Sequence, residues 1–164
     1  MTRLLILTPL TAIQLAKLSG FSPIITTVSL RNVDYVKSLG ATHAIDRSLP
    51  LADLGANVAA ITKEPIKVIF DCVGNADTQN AAYELVAPGG VFLTALGIQV
   101  NNPVEDKEIF APYGSPHPAS HRAFGVELWA HASELLAKGE FKVSFLVYDL
   151  SVASKSAEAR FPFT

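Results

Sequence analysis

The chain is expected to form an α/β domain built on a doubly wound, mostly parallel six-stranded sheet, incomplete at both ends. Three observations predict this. First, an apolar run (Val68, Ile69, Phe70) ends at Asp71, a helix-like stretch from Ala76 to Val86 follows, and a second apolar run covers Val91 to Leu93. Strands without polar alternation are those covered on both faces, as in parallel sheets. Second, strand-like and helix-like segments alternate along the rest of the chain. Third, 164 residues with 49% hydrophobic and 17% charged content make about one domain, able to bury roughly two-thirds of its unfolded surface.

Each element has a local reason. Arg3 to Leu7 is the first strand, and Thr8 with Pro9 behind it forms an N-cap and first-turn pair for a helix running to Gly20. Pro23 to Val28 is β-branched and reads as the second strand. Ser29 can cap a helix through VDYVKSLG, with Gly40 supplying a left-handed stop. His43 to Asp46 is a short third strand, followed by a helix from about Pro50 to Thr62. The pair described above supplies the fourth and fifth strands, with Pro88-Gly89-Gly90 stopping the helix between them. Lys107 to Gly114 is the sixth. A long helix from about Ala119 to Lys138 carries Phe124, Leu128, Ala132 and Leu135 on one face. Residues 1–142 thus form one domain. Residues 143–164 sustain no period and are expected to be a poorly ordered tail, with Phe145 to Tyr148 as a stray edge strand.

Composition narrows the function. A net charge of −2 gives no electrostatic case for nucleic acid or anionic membrane. The single cysteine, Cys72, excludes an internal disulfide framework and a cysteine-based structural zinc site. No apolar stretch approaches the ~18 residues of a membrane span. The start, MTRLLILTPL, leads straight into a helical pattern without a small-residue cleavage site, so it reads as a strand rather than a signal peptide. A cytoplasmic protein is expected.

Open parallel sheets hold ligands just past the carboxyl ends of their strands. The candidate contacts are therefore Asp71, Cys72, Val73 and Gly74 after the fourth strand, Leu96 and Gly97 after the fifth, and Gly114 at the sixth. Glycine there either permits close ligand approach or simply turns the chain. Dinucleotide-binding sheets place an acid after the second strand to hold a ribose 2′-hydroxyl, yet no Asp or Glu lies between Thr26 and Val33. Ser29 and Arg31 could instead meet a 2′-phosphate, Arg31 by a charge-assisted hydrogen bond. The alternative, that Ser29 only caps a helix and Arg31 is a solvated charge, stays open. Cys72 has no evident basic neighbour and reads as a packing residue rather than a nucleophile. His117 and His121 are four apart, but Pro118 biases His117 away from helical geometry and no carboxylate or cysteine completes a set. No metal is expected. G-x-S-x-G, Walker and His-Glu-x-x-His patterns do not occur.

AIQLAKLSGFSPIITTVSLRNVDYVKSLGATHAIDRS, NADTQNAAYELVAPGG and HRAFGVELWAHASELLAKGEFK together resemble the cofactor half of medium-chain, zinc-type alcohol dehydrogenase-like reductases. The nearest branch in character is the zinc-independent fungal group of quinone-reductase-like and trans-acting enoyl reductase-like proteins. The resemblance covers about Ala12 to Lys142. It implies a Rossmann sheet, NADP(H), reduction of enone, quinone or enoyl substrates, and a homodimer through the sixth strand. It also places the segment from Asp71 to Gly74 along the nicotinamide ribose. The chain departs from the family in three places. The family's preceding catalytic domain is missing, residues after Lys142 are unrelated to the family's last elements, and LTPLTAIQ stands where the glycine-rich turn belongs. Pro9 has no N–H for a pyrophosphate and Leu10 adds bulk, leaving only the Thr8 and Thr11 hydroxyls. The expectations are weak NADP(H) binding and little or no activity alone, with a non-catalytic nucleotide-binding or dimerisation module, or a truncated or mis-spliced gene product, as the alternatives.

Overall fold

The computed structural model of the chain describes residues 4–7 and 10–142. Six strands form one sheet in the order β3-β2-β1-β4-β5-β6, and every adjacent pair runs parallel. In chain order the elements are β1 (Leu4–Leu7), α1 (Leu10–Leu18), β2 (Ile24–Val28), α2 (Val33–Leu39), β3 (His43–Asp46), α3 (Leu54–Ile61), β4 (Ile66–Asp71), α4 (Ala76–Glu84), β5 (Val86–Thr94), β6 (Lys107–Phe110) and α5 (Ala119–Ala137). Because β1 sits centrally and the chain moves first to β2 and β3, then back to β4, the order reverses between β1 and β4. Such a switch point opens a crevice at the carboxyl ends of the strands.

Alternation within the central strands divides the core in two. Leu4, Ile6, Ile24 and Val28 pack with Ile13 and Ala16 of α1 and with Val36 and Leu39 of α2. Leu5, Ile25, Ile69 and Phe92 point the other way, against Leu54 and Val58 of α3 and Ala82 and Tyr83 of α4. Both faces of β1 and β2 are dry, which explains the unbroken apolar runs. Phe92 is fully buried and meets Tyr83 edge-on, with ring centroids 5.9 Å apart.

Four expectations are corrected. The helix expected to reach Val86 ends at Glu84, because β5 begins at Val86 and absorbs Pro88-Gly89-Gly90 as an irregularity. The β4–β5 register jumps from Ile66↔Val86 to Val68↔Val91, and Gly89 takes φ +64°. Such extra residues bulge a strand rather than stop it, and glycine supplies the left-handed residue a bulge requires. Ser29 makes no side-chain cap bond, since a short 3₁₀ turn, Leu30–Asn32, intervenes before α2. β6 stops at Phe110, so Gly114 lies beyond the sheet instead of at a strand end. Finally, α5 does not bury its apolar face: Phe124 is 67% and Trp129 65% exposed, while Gly125 is the helix's buried residue. The expected tail strand and the Thr8–Pro9 cap lie outside the described residues.

Candidate functional site

The carboxyl ends of β2, β3 and β4 enclose a cavity of about 290 Å³. Thr27 comes from β2, Ile45, Asp46 and Arg47 from the end of β3, Cys72 and Val73 from the end of β4, and Leu54, Asn57 and Thr78 from α3 and α4. Its walls are mostly aliphatic, with one cation at the rim. Arg47 is held there by its backbone, whose N–H donates to the Val28 carbonyl at 3.0 Å. The Asp46 carboxylate beside it accepts from the Ser48 N–H at 3.0 Å. That backbone bond, then the Ser48 hydroxyl and the neighbouring Arg47 charge, hold Asp46 below the usual carboxylate range. The carboxylate is therefore ionised near neutral pH, and its stabilising contribution is lost only as pH falls through that lowered value.

The turn after β4 has a buried anchor. Asp71 is fully buried, and its two oxygens accept from the Val73 N–H at 2.9 Å and the Gly74 N–H at 3.1 Å. This folds 72–74 into a tight lip. Gly74 adopts φ +75°, and a Cβ there would lie 2.1 Å from the Leu96 side chain, so glycine lets this lip touch the segment after β5. Asn75 then caps α4 by accepting from the Thr78 N–H at 2.9 Å.

The segment after β5 is held from α4. Fully buried Gln79 donates from Nε2 to Thr94 Oγ1 (3.1 Å) and to the Gly97 carbonyl (3.0 Å), and its Oε1 accepts from the Gln99 N–H (2.8 Å). Asn80 does the same one step further on, donating to the Gln99 carbonyl and accepting from the Asn101 N–H. The Tyr83 hydroxyl accepts from the Val104 N–H at 3.0 Å. The loop thus borrows its backbone partners from helix side chains, which keeps its polar groups satisfied.

The structure therefore joins Cys72 and Val73 to the cavity, and gathers Gly74, Leu96 and Gly97 into the adjoining lips. Asp71 lies beneath them with its carboxylate engaged by backbone. Ser29 and Arg31 lie past the end of β2 and do not line the cavity. Gly114 belongs to a separate hollow, between residues 112–116 and α5, lined by Tyr113, Phe124 and Trp129. Reasoning from sequence missed Arg47, Asp46 and the Gln79 clamp. Arg47 had a signal, since it directly follows the third strand, where ligands of such sheets bind. Gln79 had a fainter one, an amide on a helix bounded by apolar strands.

Cys72 is half-buried, and loss of water plus the adjacent Asp71 charge push its thiol up to about 11. A thiol two units above its usual value has about 100-fold less thiolate, the reactive form. Iodoacetamide at pH 8 is therefore expected to label the native chain about 100-fold more slowly than the urea-unfolded chain. Equal rates would show an accessible, unperturbed thiol. For stability the sign is that of an acid raised by folding: its contribution holds below the unfolded value and falls as pH rises towards 11. Among the described residues no group of three or more His, Cys, Asp or Glu is arranged to hold a metal ion. His121 Nδ1 is instead 3.1 Å from the Ser115 carbonyl. No helix among the described residues is long and apolar enough to cross a membrane.

A doubly wound parallel sheet with its cavity across the strand ends is a Rossmann-like domain. The chain belongs to the zinc-binding dehydrogenase family, which residues 10–112 match. It is 34% identical over 149 residues to a trans-enoyl reductase of Macrophomina phaseolina (strain MS6), covering 80% of this chain and 41% of that protein. It is 27% identical over 143 residues to the enoyl reductase component of lovastatin nonaketide synthase from Aspergillus terreus, covering 77% and 39%. Quinone oxidoreductase from Escherichia coli, solved in complex with NADPH, superposes with a TM-score of 0.67 at 20% identity, covering 88% of this chain and 48% of that one. The chain thus spans about two-fifths of the curated relatives' length.

Proposed function

We propose that the chain is the coenzyme-binding part of an NADP(H)-dependent reductase of enone, quinone or enoyl compounds. The observation that carries this reading is the cavity spanning the ends of β2, β3 and β4, with Arg47 on its rim. Aliphatic walls from Ile45, Leu54 and Val73 suit the faces of a purine, and the guanidinium suits a ribose 2′-phosphate. The nucleoside half of the coenzyme fits these residues. The pyrophosphate half has less support, because LTPLT carries a proline and no glycine where backbone N–H groups would approach it. When bound, the coenzyme would supply the hydride. This chain's contribution is to hold the adenosine end between Arg47 and Val73 and to present Gly74 and the segment 95–97 to the other end.

NADPH is expected to bind more tightly than NADH, weakly in both cases. Arg47→Ala should weaken NADPH about tenfold, the scale of one charge-assisted bond, and leave NADH within about twofold. Fluorescence titration reads both. If Arg31→Ala has that effect and Arg47→Ala has none, the 2′-phosphate lies past β2 rather than at the cavity rim. Substrate-dependent consumption of NADPH should be near zero for the chain alone, since few residues here could bind substrate or exclude water. A rate typical of an intact reductase would refute the coenzyme-part reading.

A second reading is a non-catalytic dimerisation or nucleotide-binding module. The outer edge of β6, which no other strand among the described residues pairs, with Phe110 half exposed there, and the exposed apolar face of α5 favour it. Pairing of β6 with its copy gives a homodimer in light scattering. A dimer that binds neither coenzyme supports this reading over the first.

A further inference from the structure

Within the site just proposed, two amides act in series: buried Gln79 holds the segment after β5 on α4, and Gln99 ties that segment to the turn after β4. Gln79 projects from α4 and is fully buried beside the end of β5. Its three hydrogen bonds reach the end of β5 at Thr94 and both ends of the short segment from Gly97 to Gln99. That segment is then joined to the opposite lip, because Gln99 Nε2 donates to the Gly74 carbonyl at 2.6 Å. Leu96 closes the same gap by packing over Gly74. The path from helix to second lip therefore runs Gln79, Gln99, Gly74, with Asp71 anchoring the far side of the turn.

A buried amide costs free energy to desolvate unless every polar atom finds a partner. No buried side-chain nitrogen or oxygen among the described residues lacks one. For packing alone, an aliphatic residue of similar volume would serve as well as glutamine. What glutamine adds is a fixed place for 97–99, from which the Gln99 side chain reaches the Gly74 carbonyl.

We infer that Gln79 is a positioning residue: it fixes 97–99 on α4 so that Gln99 can hold this segment to Gly74, and Gly74 and 95–97 then meet the nicotinamide-bearing half of the coenzyme as one surface. This rests on the coenzyme reading above. It concerns only the half of the coenzyme remote from Arg47, which separates it from the general stability of the fold.

The test uses Gln79→Met, which keeps length and removes all three bonds, and Gln99→Ala, an exposed position where only the tie to Gly74 is lost. Affinities for NADPH and for 2′,5′-ADP, which lacks the nicotinamide half, are measured for each. Both variants are expected to weaken NADPH about tenfold and to leave 2′,5′-ADP within about twofold. Parallel loss of both ligands, or no change in either, overturns the assignment. If the unmodified chain binds neither ligand, the coenzyme reading has failed, and amide hydrogen exchange on the free chain decides the tie itself. Faster exchange at 72–75 in Gln99→Ala upholds it, and unchanged exchange there overturns it.

Discussion

Phe92→Ala is expected to destabilise the domain by about 3–5 kcal/mol, the range for deleting a buried phenyl ring. The ring has no exposed surface and stands at the centre of the layer between the sheet and α3–α4. Its neighbours cannot collapse into the space, because Tyr83 is fixed at its far end by the Val104 N–H and near its ring by the Lys107 ammonium, 5.0 Å from the centroid. A cavity with rigid walls keeps most of its cost. Urea unfolding followed by far-ultraviolet circular dichroism measures it. The tryptophan signal is a poor reporter, since Trp129 is 65% exposed on a helix that buries little. A change below about 1 kcal/mol would mean the layer between α4 and the sheet is loosely packed.

Asp71→Ala is expected to cost about 2–4 kcal/mol and to loosen the lip at the end of β4. The carboxylate is buried, so removing it also removes a desolvation penalty, which keeps the figure moderate. Against that, the N–H groups of Val73 and Gly74 lose a charged acceptor in a part-buried turn. Gly74 is already in a left-handed conformation that the turn must sustain. Asp71→Asn keeps one carbonyl oxygen and should recover part of the loss. The same urea series measures both variants. Full stability of Asp71→Ala would show that the turn is set by the backbone alone.

Much of the architecture was legible because the signals were local. His43 to Asp46 was expected as a strand and is one, and β4 ends at Asp71 as its apolar run does. The six parallel strands followed from runs without polar alternation. What misled was Pro88-Gly89-Gly90. In isolation it is a stop signal, yet the pairing of β5 with β4 overrides it by absorbing the extra residues into a bulge. The Ser29 cap failed for a related reason, since the chain enters α2 through a 3₁₀ turn and the helix begins later.

The site was less legible. The rule that ligands gather at strand ends points to 72–74 and 96–97, and it extends equally to β3, where Asp46 and Arg47 line the cavity beside Cys72 and Val73. Ser29 and Arg31 follow β2 and lie outside the cavity lining, which takes Thr27 from that strand. Gln79 could not be read at all, because its role depends on which way a helix faces and how a loop returns. Those are consequences of packing, not of spacing.

The decisive observation is where an adenine nucleotide binds. Titration of 2′,5′-ADP into the nitrogen-15-labelled chain, followed by two-dimensional amide spectra, tests this directly. Saturable shifts should cluster at Thr27, Asp46, Arg47, Cys72 and Val73, and should need about tenfold more ligand in Arg47→Ala. Shifts confined to Tyr113, Phe124 and Trp129, or an unchanged affinity in Arg47→Ala, would contradict the coenzyme reading.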